Sequence, residues 1–261
     1  MKKISVLLAL FALAFTELVF ASAVVTSLTG TAQVQVGSGP ARTLRQGDRV
    51  NQGDTVSTGA ASSVVMKFDD GQIAALTANS RMAVTEYSYN PQSGSGSVLL
   101  SLIDGGMRAL TGLIGRNSPD KVSFRAATAT IGIRGTDVTI VTTQGNVIVS
   151  VNEGAVSFTF NGQTVIIPAG QAIHARPDGT FSRGTINQIQ SQLSQTPLGN
   201  QVLAALGGLV GLTNAINQAA PGTPPRTDQQ PGTGPTTGPT PGTPGYGAPG
   251  GGGGGGAPSK S

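Results

Sequence analysis

The chain has 261 residues, of which only 11% are charged, with a formal net charge of +4, 39 glycines and no cysteine. So weak and dispersed a positive balance gives no electrostatic footprint for nucleic acid, and the lack of thiols excludes disulfide staples and thiolate-ligated metal. A single histidine, His174, leaves a metal little but carboxylates to bind, so no metal site and no cofactor are expected.

The N-terminus reads as an export signal. Lys2 and Lys3 form a basic n-region, Ile4 to Phe15 an apolar h-region, and Ala21-Ser22-Ala23 the small residues a signal peptidase reads, which predicts a signal peptide over 1–23. Twelve apolar residues at ~1.5 Å each span about 18 Å, short of a ~30 Å hydrocarbon core. No transmembrane anchor is therefore expected in the mature chain, which belongs in the periplasm or outside the cell.

From 24 to 183 the text consists of short alternating runs punctuated by glycine. Val24 to Leu28, Ala32 to Val36 and Arg49-Val50 are broken by turns at Gly30, Gly37 to Pro40, Gly47-Asp48 and Gly53-Asp54. Strands recur about every 8 to 12 residues, which predicts an all-β domain: a twisted sandwich or roll of many short antiparallel strands. Asp48 and Asp54 repeat in a Gln-Gly-Asp echo, but two carboxylates are too few for calcium and fit turn chemistry instead. Asp69-Asp70-Gly71, between Ser63 to Phe68 and Ile73 to Leu76, predicts a hairpin with a type I′ turn. Its adjacent carboxylates point to opposite faces and form no acid/base pair.

Met82 to Tyr89 is a further strand, with Tyr87 and Tyr89 on one face by the period of two. They either pack on a neighbouring strand or offer a platform for a sugar or peptide. Val98 to Ile103 returns as a buried run, and a basic, mobile loop is expected from Met107 to Lys121, carrying Arg108, Arg116 and Lys121 as a solvated rim open to binding. A meander of three strands then runs from Asn146 to Ile167, and His174 is expected as polar surface near a sheet edge.

At the centre lies Ala127 to Val138, small and β-branched residues interrupted by Gly132 and Gly135. It reads as strand, sharp bend, strand. Arg134 and Asp137 flank the bend around Gly135 and Thr136, where they pair as a structural latch or leave Arg134 for a ligand.

The run Ile133-Arg-Gly-Thr-Asp-Val138, preceded by Phe68-Asp-Asp-Gly71 and followed by Val149-Ser-Val-Asn-Glu-Gly154, resembles the FecR family, the periplasmic sensory domain of the iron-dicitrate regulators. The resemblance extends from about Val56 to Phe160, with Leu76, Ser80, Leu102 to Gly106 and Phe124 in the expected order. It implies an all-β, non-catalytic envelope domain. Those regulators carry an anti-sigma segment and a transmembrane helix ahead of this domain, where the present chain carries an export signal, so any regulation is expected to pass through a partner.

After Thr185 the period changes. Ile186, Ile189 and Leu193, then Leu198, Val202, Leu206, Leu209 and Val210 beyond Pro197, predict two amphipathic helices over 184–218. They are expected to dock on the β domain or to self-associate with a second copy; their polar face of Gln and Asn disfavours a membrane surface. Residues 219–261, rich in Gly, Pro and Thr and ending in Gly250 to Gly256, predict a disordered spacer.

No nucleophile, base and orienting group can be assembled from this text, so an enzyme is not expected. The leading expectation is a non-enzymatic exported module that binds an envelope protein or cell-wall glycan, with Arg134, Gly135, Thr136, Asp137, Tyr87, Tyr89 and Arg116 as candidate binding or structural residues. The alternatives are a component of iron-dicitrate-type sensing that regulates a sigma factor through a partner, and a structural or adhesive envelope protein.

Overall fold

A computed structural model describes residues 22–196 and 198–220. Residues 1–21 of the expected export signal and 221–261 of the expected tail lie outside the described residues. The strands are β1 (Ser22–Thr29), β2 (Ala32–Val36), β3 (Ala41–Thr43), β4 (Arg49–Asn51), β5 (Asp54–Thr58), β6 (Ser63–Phe68), β7 (Ile73–Leu76), β8 (Arg81–Asn90), β9 (Ser95–Leu110), β10 (Val122–Ala126), β11 (Ala129–Thr143), β12 (Asn146–Phe160), β13 (Gln163–Pro168), β14 (Ala172–Ala175) and β15 (Phe181–Gly184).

All of them join one mixed sheet that folds over itself. One layer runs β15-β14-β12-β11-β9-β7-β6-β1-β4 and uses Asn146 to Val151 of β12, Asp137 to Thr143 of β11 and Gly105 to Leu110 of β9. The other runs β13-β12-β11-β10-β9-β8-β5-β2-β3 and uses Ala155 to Phe160, Ala129 to Arg134 and Ser95 to Asp104 of the same three strands. β9, β11 and β12 thus pass from one layer into the other. The side chains that alternate inward from both, among them Phe68, Leu100, Phe124, Ile131, Ile140, Val149 and Phe158, make a single core.

Three features depart from the expected meander of short antiparallel strands. β9, β11 and β12 run to 16, 15 and 15 residues. β10 lies parallel to β9, Val122 opposite Val98 through Ala126 opposite Leu102. The segment expected as a basic loop supplies the return: Met107 to Leu110 complete β9, and a short helix α1 (Leu113–Asn117) with a 3-10 turn (Pro119–Lys121) carries the chain back to start β10. The Asp-Gly hairpin is present, but its loop has three residues, Asp69 to Gly71, closed by the Phe68 N–H donating to the Gln72 carbonyl at 2.8 Å. Within it only Gly71 takes a positive φ, +83°, so the turn is the bulged three-residue kind rather than type I′.

The C-terminal region forms three helices, α2 (Ile186–Leu193), α3 (Gly199–Gly211) and α4 (Thr213–Ala219), where two were expected. Thr185 and Gln188 close a capping box that starts α2. α3 and α4 bend by 46° at Leu212, which carries α4 across β6 and β7. The helices dock on the β domain of the same chain. Ile189, Leu193, Val202, Leu206 and Leu209 cover Val141, Ile148 and Ala172 on the outer face of the first layer; Ile216 and Ala219 cover Val65, Ile73 and Ala75. Close approach needs small residues: a Cβ on Gly208 would sit 3.0 Å from Thr77 Cγ2, and one on Gly106 3.2 Å from the Ala205 methyl. Among the described residues no single helix is long and apolar enough to cross a membrane.

His174 is not edge surface. β14 is flanked by β12 and β15 and covered by α2, leaving the imidazole 5% exposed with Nε2 2.9 Å from Asn146 Oδ1. Burial, with help from Arg176 and against Asp178, depresses its pKa from 6.5 to about 4. The unfolded chain therefore takes up this proton first, so the contribution of neutral His174 to stability is complete above about pH 6.5 and lost as pH falls toward 4. Denaturant titrations across that window should show a shallower acid loss for His174→Gln than for the wild type. In the same assay at neutral pH, Phe158→Ala is expected to cost about 3–5 kcal/mol, and Leu209→Ala, which opens the helix seam, about 2–5 kcal/mol.

Candidate functional site

The central stretch is one strand with a bulge. β11 pairs regularly with β12 up to Arg134 opposite Ala155, slips across Gly135 and Thr136, and resumes at Val138 opposite Val151. Gly135 has φ +58°, and Gly154 on the facing strand has φ +75°. A Cβ on Gly154 would lie within van der Waals overlap of the Gly135 carbonyl, so this crossing of backbones requires glycine there. Arg134 faces the outside of the second layer by regular alternation, and the bulge beyond it passes Val138 into the core of the first.

Asp137, at the far side of the bulge, is 9% exposed and paired, but not with Arg134. Arg108 of β9 grips it with two parallel bonds, Nε to Oδ1 at 2.8 Å and Nη2 to Oδ2 at 2.5 Å, and Asn152 Nδ2 donates to Oδ1 at 3.2 Å. The hydrogen bonds it donates to Asp137, opposed by burial, hold the Arg108 guanidinium above its ordinary pKa. Arg108 also donates to Thr213 Oγ1 at 3.2 Å, tying the start of α4 to the same knot. Thr136 is clasped by Thr111: its N–H donates to Thr111 Oγ1 at 2.7 Å, and the Thr111 N–H donates back to the Thr136 carbonyl at 3.0 Å. The expected Arg134–Asp137 latch does not form; β9 supplies the cation that holds Asp137. Arg108 and Asp137 lie 29 positions apart, and no local pattern announces such a pair.

Two clefts flank the bulge. One, of about 430 Å³, is lined by Arg108, Thr111, Arg116, Gly135, Asp137 and Glu153. The other, of about 700 Å³, is lined by Arg116, Arg134, Asp120, Ser123, Gly132 and Ser157. Arg116, Arg134, Gly135, Thr136 and Asp137 are thus brought together from α1 and β11.

The tyrosines are elsewhere. Tyr87 is core, its ring 5.0 Å from that of Phe68, and its hydroxyl accepts from the Asp70 N–H at 3.0 Å and donates to Asp70 Oδ1 at 3.3 Å. Tyr89 is half-buried against the same core. A β8 bulge between Val84 and Glu86 shifts the alternation that sets these faces. Neither ring forms the exposed platform considered from sequence. Asp70 instead anchors the start of α1: its carbonyl accepts from the Leu113 N–H at 2.8 Å and its carboxylate from the Gln72 and Ile114 N–H groups. Burial raises the Asp70 pKa, and burial beside Asp70 raises that of Tyr87. No group of three or more His, Cys, Asp or Glu gathers among the described residues.

Residues 54–157 match the family model described as FecR protein, and this segment is a FecR domain. It spans the chain from the first residue of β5 into the second half of β12, and so contains the bulge and both clefts. Two crystal structures of candidate anti-sigma factors from Parabacteroides distasonis are similar to the chain. One shares 15% identity at a TM-score of 0.43 over 53% of this chain and 62% of that one; the other shares 16% at 0.45 over 60% and 74%. The chain therefore spans less than two thirds of the length of the first. No curated protein matches the chain.

Removing Asp137 strands a largely buried guanidinium. Asp137→Ala is expected to cost about 3 kcal/mol or more in chemical denaturation, while the double variant Arg108→Met/Asp137→Leu, which removes both charges, should recover most of that loss.

Proposed function

We propose that the chain is a non-enzymatic regulatory module that works by contact with a protein partner and, through that partner, controls a sigma factor. The FecR domain at 54–157 is the observation that carries this reading. The site geometry is consistent with it. The polar residues around the bulge hold backbone and each other, as in the Arg108–Asp137–Asn152 knot and the Thr111–Thr136 clasp, and do not converge on a reacting atom. The exposed features are clefts and strand edges, which suit recognition. The glycan reading loses support, because Tyr87 is buried in the core and Tyr89 is half-buried against it. The N-terminal pattern of basic, apolar and small residues supports action outside the cytoplasm.

Transcript profiling of a deletion strain tests the proposal. The expected result is a coordinated change in one sigma-factor-dependent gene set, restored by the wild-type chain. An unchanged transcriptome under conditions where the chain is expressed would refute it.

A further inference from the structure

We propose that the outer surface of the β10–β11 pair is a docking groove for an extended, acidic segment of a protein partner; this rests on the reading of the chain as one that acts by protein contact. The register of the two strands carries the argument. Arg125 stands opposite Thr130 and Ser123 opposite Gly132, while Val122, Phe124, Ala126, Ala129, Ile131 and Ile133 fill the core. By alternation the outward side chains are therefore Arg125 and Ser123 on one strand and Thr130 and Arg134 on the other, with Gly132 and the Ser157 hydroxyl that donates to its carbonyl between them. From the Thr130 row to Arg134 is four residues, about 13 Å of extended chain. Arg116 reaches the Arg134 end from α1 and lines the cleft of about 700 Å³ with it.

These three arginines are exposed, and among the described residues none makes a salt bridge or side-chain hydrogen bond. Of the other arginines, four are engaged: Arg42 with Asp48, Arg108 with Asp137, Arg176 with Thr180 and Ser182, Arg183 with the Ile166 carbonyl. Of the exposed carboxylates, Glu86 accepts from the Ser97 hydroxyl and Asp120 stands 3.5 Å from Lys121, while Glu153 lines the neighbouring cleft with Arg116. A guanidinium presents a planar fork of donors that matches a carboxylate. Two forks about four extended residues apart, with a third beside the second, suit acidic side chains at i and i+4 of a strand-like ligand. The floor favours an extended ligand over a helix. Gly132 and the short hydroxyls of Ser123, Thr130 and Ser157 let a backbone approach closely, whereas an amphipathic helix needs an apolar groove.

Isothermal titration of the purified protein with a synthetic (Glu-Thr)₅ peptide tests the assignment, with (Gln-Thr)₅ and inorganic phosphate as comparison probes. Binding is expected for the Glu peptide, weakened at higher salt and absent for the Gln peptide. Arg116→Gln/Arg134→Gln should weaken it at least tenfold, while Arg42→Gln/Arg45→Gln, which removes an equal charge from β3 and the β3–β4 connection, should not; circular dichroism melting confirms that the variants fold. Failure of the wild type to bind, equal binding by the double variant, or phosphate binding as tightly as the peptide would overturn the groove. Each of these results leaves the transcriptional test of the regulatory reading untouched, so the two can fail separately.

Discussion

Three strands are too long to stay in one layer, and the points at which they cross are where the fold is decided. A strand that leaves its layer interrupts its ladder, and the freed backbone groups must find partners inside a dry core. At the β9 crossing, Gly105 takes φ +90°, and the Ser80 hydroxyl accepts from the Gly106 N–H at 2.9 Å, while Thr58 Oγ1 accepts from the Ser80 N–H at 2.9 Å. At the β11 crossing the Thr111–Thr136 clasp performs the same task, and the bidentate grip of Arg108 on Asp137 binds the β9 and β11 crossings to each other. At β12, Gly154 allows the facing bulge to close. The clefts, and the arginines around them, are consequences of where these crossings fall.

Covering of the first layer follows from the same geometry. Because β9, β11 and β12 enter it from the other side, its central strands have core on one face and would show Val141, Ile148, Val65 and Ile73 to water on the other. The C-terminal helices of the same chain bury that face. The second layer needs no such cover, since its outward positions are largely Ser, Thr, Gly and Arg, several of them hydroxyl pairs across strands such as Thr85–Ser101 and Thr159–Thr164. One sheet therefore has one outer face covered by the helices and one left exposed.

Much of this was legible in the residues. Period-two alternation and glycine turns identified the strands from Val24 to Ile167, the Ile133 to Val138 run marked the critical bend, and the 3.6-residue stripe after Thr185 announced helices that dock on a sheet. What stayed hidden was non-local. Nothing near Asp137 indicates that its partner is Arg108 rather than Arg134, because the bulge that separates Arg134 from Asp137 is fixed by the facing Gly154. The parallel β9–β10 pair is hidden because Met107 to Lys121, with Gly112, Gly115, Pro119 and three cations, reads as a loop although the end of β9, a short helix and a 3-10 turn fit inside it. Tyr87 and Tyr89 shared a face by simple alternation, but alternation does not say whether that face is covered, and the bulge at Val84 to Glu86 is set by β9. His174 looked like an edge because Pro168 ends β13, while β15 and α2, further along the chain, close over it.

Native-state hydrogen exchange measures the crossing frame most directly. The account predicts that the amides of 106–110, 138–142 and 147–151, where β9, β11 and β12 lie between core and helices, exchange only through global unfolding, and that those of Arg116 and Gly135 exchange through local opening. If the three crossing segments exchanged as fast as the residues of the clefts, the strands would not be held between two layers, and the frame described here would be wrong.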